Sequence, residues 1–228
     1  MIGIIGAMDV EVDGIKALIE DKKTKTISGV EFVSGYIFGK EAVVAKCGIG
    51  KVFAALCTEA MITGYSPECI INTGVAGALS PKLSTTDIAV SSAVVQHDMD
   101  TSVLGDPVGL ISGINMIEIP ADASLADRLV STIEKLGLNC EKGVIASGDC
   151  FVADPVRKKF ITESFGAIAC EMEGAAVGHV CYVNGVPFAI LRAISDTADG
   201  SSAMDYSEFL PRAAQNSISI VTRFLEEY

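Results

Sequence analysis

Apolar residues in this chain fall into two patterns, short continuous blocks and longer stretches spaced three and four apart. Continuous blocks bounded by turn residues read as strands buried on both faces. They lie at 2–6, 69–73, 87–95, 142–147, 167–170 and 186–191. Helical spacing runs from Asp9, a candidate N-cap, to about Glu20, and again over 52–63, 125–136, 174–184 and about 206–227. Segments 31–39 and 41–47, joined at Gly39-Lys40, read as a hairpin. Gly74–Ala78 reads as a small-residue turn after its strand, and 97–120 as a long loop of the kind used for lids, binding or interfaces. The order predicts one α/β domain over 1–228, with a mixed, mostly parallel central sheet and helices on both faces. Within it, 167–191 reads as a βαβ unit with parallel strands.

Composition narrows the class. Half the residues are hydrophobic, enough for a large core and for a covered subunit face. No apolar stretch reaches the roughly 20 residues needed to span a bilayer. The amino terminus lacks a basic n-region and carries Asp9, so no signal peptide is expected and the cytoplasm is the expected location. A net charge of −12 with scattered basic residues argues against a nucleic-acid surface. The seven cysteines form no CxxC pair and only two histidines accompany them, so neither a metal site nor a cofactor is expected.

Chemistry gathers where buried strands end. The block at 167–170 runs into Glu171-Met172-Glu173, and that at 186–191 into Arg192-Ala193-Ile194-Ser195-Asp196. Charge at such ends is unfavourable unless paired or used, and ligands of open α/β sheets sit beyond carboxyl ends of strands. Glu11 admits two readings, complement to a helix dipole or functional carboxylate past a strand end. Phe151 is either core filling or a stacking platform. His97 reads as a hydrogen-bonded loop histidine. Gly48-Ile49-Gly50-Lys51 allows close backbone approach to a ligand but lacks P-loop spacing.

Six segments in order then carry a resemblance. They are 2–11 (IGIIGAMDVE), 48–52 (GIGKV), 70–77 (IINTGVAG), 147–151 (SGDCF), 171–173 (EME) and 192–196 (RAISD). Together, across essentially the whole chain, they resemble the bacterial 5′-methylthioadenosine/S-adenosylhomocysteine nucleosidases of the purine nucleoside phosphorylase superfamily. The resemblance implies hydrolysis of an N-glycosidic bond in methionine salvage, without a cofactor. It implies that Asp196 protonates the leaving purine with Ser195 orienting it. Glu11 would polarise water, Glu173 hold the ribose hydroxyls, and Arg192 sit near Glu173 and the water. An acid working near neutral pH would need a pKa raised by burial and neighbouring carboxylates. Phe151 would stack on adenine, the Val152 backbone would meet its edge, and Met8, Ile49, Met172 and Tyr206 would line the ribose and 5′ group. The resemblance also implies a homodimer in which Thr101, Val103 and Leu104 complete the partner's 5′ pocket.

Two positions depart from the family pattern: Val75 stands where relatives often have serine, and Leu104 where they often have phenylalanine. The alternatives are a phosphate-dependent nucleoside phosphorylase and a non-catalytic nucleoside-binding protein. The first would need basic groups at the anomeric face, yet the loop from Gly6 to Glu11 carries acids and no arginine. The second would be expected to lack Glu11 or Asp196, and both are present.

Overall fold

The structure, a computed structural model, describes residues 1–196 and 202–228, with only the backbone of 202–207 described. Its strands are β1 (Ile2–Gly6), β2 (Glu20–Ile27), β3 (Val30–Ile37), β4 (Lys40–Lys46), β5 (Cys69–Ala78), β6 (Ile88–Gln96), β7 (Ile119–Pro120), β8 (Cys140–Ser147), β9 (Ala167–Glu171) and β10 (Phe188–Asp196). The helices are α1 (Asp9–Ala17), α2 (Lys51–Tyr65), α3 (Ala123–Lys135), α4 (Pro155–Phe165), α5 (Gly174–Asn184) and α6 (Ser202–Glu227).

The sheet is mixed and ordered β10-β6-β8-β9-β5-β1-β4-β3-β2. Because β5 also pairs with β10, the five strands β10, β6, β8, β9 and β5 close on themselves. The hinge of this closure is the second half of β5, where Gly77 faces Asp196 on one side and Cys170 on the other. Alternation along β1 shows how the layers form: Ile2 and Ile4 join α1, α3 and α6, while Ile5 joins α2 and α5. Helices thus cover both faces, as the apolar pattern predicts.

Several sequence expectations change. β9 and β10 are not parallel partners: β10 runs parallel to β5, whereas β9 meets β5 antiparallel. Helix α5 reverses the chain onto the other arm of the closed circuit, a connection hydrophobic periodicity does not encode. Gly74–Ala78 is not a turn but the continuation of β5. Small residues are required there because functional carboxylates lie against the strand. A Cβ at Gly74 would come within 2.7 Å of Glu11 Oε1, and one at Gly77 within 2.9 Å of Asp196 Oδ2. Asp9 does not cap α1; Met8 holds that place and Asp9 pairs with Lys46 at 2.9 Å. Helix α1 ends at Ala17, and Glu20 opens the edge strand β2, which is too polar to read as a strand. Helix α4 was also not anticipated, because only Lys158, Ile161 and Phe165 are buried on it. The hairpin stands, its Phe38-Gly39 turn taking φ of 50° and 75°.

Candidate active site

One cavity opens where β1, β5, β9 and β10 end, and six of its lining residues carry polar or aromatic chemistry: Glu11, Phe151, Glu171, Glu173, Ser195 and Asp196. Met8, Ile49, Val75, Val152 and Met172 also line it.

At one end of the cavity Glu11 is buried in the first turn of α1. The backbone N–H groups of Ala7 and Met8 donate to its Oε2 at 2.7 and 2.9 Å, and that of Val75 to Oε1 at 3.2 Å. The carboxylate that complements the helix terminus therefore also faces the cavity. Burial raises its pKa, while Arg192 and the three backbone donors oppose the rise. Val75, which replaces the expected serine, contributes a backbone N–H and needs no hydroxyl to do so.

Behind this wall lies a charge network only partly visible in the sequence. Arg192 is 1% exposed and does not line the cavity; its Nη2 meets Glu171 Oε2 at 2.5 Å and lies 4.0 Å from Glu173 Oε2. Its Nη1 donates to the carbonyl of Asn72 at 3.1 Å, and Nη2 also reaches Asn72 Oδ1. The resemblance places Arg192 beside Glu173, but its first partner is Glu171. Glu171 further accepts from Ser147 Oγ and from the N–H groups of Glu173 and Gly174 at 2.9 and 2.8 Å. Burial works to raise the Glu171 pKa, yet Arg192 and these donors win and hold it low. Glu173 goes the other way. Burial, then the charge of Glu171, pushes it up to about 7 against Arg192 and the Gly50 N–H that donates to Oε1 at 2.8 Å.

At the opposite end Ser195 Oγ lies 3.0 Å from Asp196 Oδ1 and 3.3 Å from the carbonyl of Ala76. Asp196 is buried, and the buried Lys158 ammonium of α4 stands 3.9 Å from its Oδ2. Phe151 is 50% exposed on the loop before α4, which settles its two readings against core filling. His97 is the buried loop histidine expected, its Nδ1 3.0 Å from Arg157 Nη2.

Thr101, Val103 and Leu104 do not reach this cavity. Val103 and Leu104 sit on the single 3-10 turn Ser102–Leu104, 94% and 81% exposed, and Thr101 Oγ1 is bonded to Asp106. The Tyr206 side chain lies outside the described residues. Among the residues to which sequence reasoning gave no role, Glu171 and Ser147 had a signal, each lying inside a quoted segment at a strand end. Asn72 lay inside the quoted segment 70–77, whereas Lys158 had no signal. No cluster of three or more potential metal ligands occurs among the described residues.

A family model described as Phosphorylase superfamily matches residues 1–226. A 5′-methylthioadenosine/S-adenosylhomocysteine nucleosidase of Shewanella halifaxensis is 40% identical over 99% of this chain and 99% of its own. A Helicobacter pylori nucleosidase mutant, solved with 5′-methylthioadenosine in its active site, is 37% identical with a TM-score of 0.95, covering 100% of this chain and 98% of its own. A structure named futalosine hydrolase, also of Helicobacter pylori, is 38% identical with a TM-score of 0.95, covering 100% and 97%. By sequence over nearly its whole length and by fold, the chain belongs to the Phosphorylase superfamily, among the 5′-methylthioadenosine/S-adenosylhomocysteine nucleosidases.

Proposed function

We propose that the chain is an N-glycosidic hydrolase that releases adenine from 5′-methylthioadenosine and S-adenosylhomocysteine, leaving the 5-thio-substituted ribose. The observation that carries the reading is the placement of two buried carboxylates, Glu11 and Asp196, on one cavity, with the nearest guanidinium committed to Glu171 and Asn72. A glycosidic bond that breaks through an oxocarbenium-like sugar needs an acid for the leaving group and a base for water on the other face. Asp196 protonates the purine, with Ser195 orienting it. Glu11 takes the proton of the attacking water; its raised pKa makes it the stronger base. Glu173 accepts from the ribose hydroxyls, and Arg192 acts through Glu171 and Glu173 rather than on the sugar. Phe151 stacks on adenine, Val152 meets its edge, and Met8, Ile49, Met172 and Tyr206 border the ribose and 5′ group.

The same reading makes residues 1–228 one domain, working in the cytoplasm as a homodimer. Support for the dimer is the exposed apolar face of α2, with Val52 at 78% and Phe53 at 55%, together with Val103 and Leu104. In the dimer, Thr101, Val103 and Leu104 close the partner's 5′ pocket. No helix among the described residues is long and apolar enough to cross a membrane.

The deciding assay is adenine release in phosphate-free buffer from 5′-methylthioadenosine, S-adenosylhomocysteine, 5′-deoxyadenosine and futalosine. Release from the first two without phosphate is expected. Turnover that appears only with phosphate and yields ribose 1-phosphate overturns the hydrolase reading, and tight binding without turnover indicates a binding protein.

A further inference from the structure

Helix α4 buries one face, made of Lys158, Ile161 and Phe165. Positions three and four apart on such a face normally carry apolar side chains, yet the first here is a lysine that is 3% exposed. An ammonium withdrawn from water is destabilising unless a partner compensates. Its Nζ stands 3.9 Å from Asp196 Oδ2, both side chains being almost wholly buried. Asp196 is confined on its other sides too, with Gly77 leaving no room for a Cβ and Ser195 Oγ at 3.0 Å from Oδ1.

We propose that Lys158 is a positioning residue for Asp196, fixing the carboxyl against β5 and stabilising the carboxylate left when its proton passes to the departing adenine. This rests on Asp196 being the leaving-group acid. As the glycosidic electron pair moves onto the purine, the Asp196 proton bonds to the base, and the new carboxylate faces an ammonium already in place. Water supplies hydroxide to the anomeric carbon and its proton to Glu11, so the step balances without another reactant. Cys170 of β9 feels the charges of both Asp196 and Lys158, and Cys150, Cys170 and Glu171 line the same cavity as Asp196. Burial, reinforced by Asp196, pushes the Cys170 thiol up to about 12 and keeps it neutral. Among these described groups Lys158 is the cation. A purely structural ion pair could use any acid. This one engages the carboxylate that opens onto the cavity.

An opposite charge at this distance lowers a carboxyl pKa, so its removal raises it by about 1–3 units. The test is the pH profile of kcat/KM for adenine release, whose basic limb reports the acid in the free enzyme. Lys158→Met and Lys158→Gln, which keep length without charge, should move that limb upward by about 1–3 units, while Lys158→Arg should hold it near the wild-type position. On a nitrophenyl thioriboside, which needs no leaving-group proton, the same variants should show no such shift. Asp196→Asn should abolish the limb. If Asp196→Asn does so and neither neutral variant moves it, the role of Lys158 is overturned while the acid stands. If Asp196→Asn leaves adenine release intact, the reading of the acid itself fails. A wild-type profile with no basic limb below pH 9 also overturns the inference, and a neutral variant that folds only with added substrate is scored in that state.

Discussion

The two ends of the cavity are built by different means. At the Glu11 end, three buried carboxylates surround one guanidinium, and backbone N–H groups fix four of their six oxygens. At the Asp196 end the buried Lys158–Asp196 pair stands beside a loop that carries the half-exposed Phe151. The first is a preorganised electrostatic site, where interactions are strong because water is excluded and donors are already oriented. In the proposed reading the second admits and releases a planar base, which suits one confined carboxyl beside a half-exposed aromatic face. The lesson is that neighbouring carboxylates are not equivalent. Glu171 and Glu173, two residues apart, are shifted in opposite directions because one receives the arginine and the other receives its neighbour's charge.

The comparison is broken most severely by removing the reacting proton from either end. Glu11→Gln and Asp196→Asn should each lower kcat by ~10²–10⁴, with KM changed much less. An activated nitrophenyl thioriboside should rescue Asp196→Asn but not Glu11→Gln. Equal loss of both variants on that substrate would remove Asp196 from the role of leaving-group acid.

Glu171→Gln tests the network behind the wall. It leaves a buried guanidinium without its charged partner, which should destabilise the fold by about 3–5 kcal/mol in urea unfolding. It should also lower the Glu173 pKa, since the adjoining carboxylate that raises it is gone. Stability equal to wild type would mean that Asn72 alone satisfies Arg192.

Phe151→Ala sharpens the contrast at the other end. Loss of a base-stacking surface should weaken nucleoside binding by about 1–3 kcal/mol, read as a higher KM, with unfolding free energy nearly unchanged because the ring is half exposed. A marked loss of stability instead would make Phe151 a packing residue.

The smallest effect is a pH dependence. In the proposed role Glu173 accepts ribose hydroxyls as a carboxylate, and burial pushes its pKa up to about 7. KM for 5′-methylthioadenosine should therefore fall several-fold as pH rises from about 6 to 8, whereas a 2′,3′-dideoxy analogue should show no such change. The sign for stability is opposite. Glu173 is raised from 4.5 to about 7, so the folded state holds a proton that the unfolded state releases between these values. Its contribution is full below pH 4.5 and is lost as pH rises through about 7.

What was legible in the sequence follows from the same physics. Strands buried on both faces announce themselves as apolar blocks, so β1, β6 and β9 could be placed. β2 is exposed along its length until Ile27, and no burial pattern marks it. β5 misled because glycines that make room for carboxylates look like turn residues. Glu11, Glu173, Ser195 and Asp196 stood out as polar residues at strand ends, and all four line one cavity. Arg192 stood out too, but spacing could not tell that its charge turns toward Glu171. Lys158 was hidden because a lysine on an unrecognised helix reads as solvated surface.

The closed circuit of strands has a consequence for the order in which the molecule is made. The bonds that join β10 to the interior, such as Arg192 to Asn72, span 120 residues of sequence. Closing so long a loop is entropically unfavourable, and contacts of this kind form late in folding. On the ribosome, at ~5–20 residues per second, β5 waits several seconds for its partner. During that interval the apolar strand is a surface for chaperones. Arrested nascent chains ending before Phe188 should accordingly bind a trigger-type chaperone and no nucleoside, whereas released full-length chains should do the reverse.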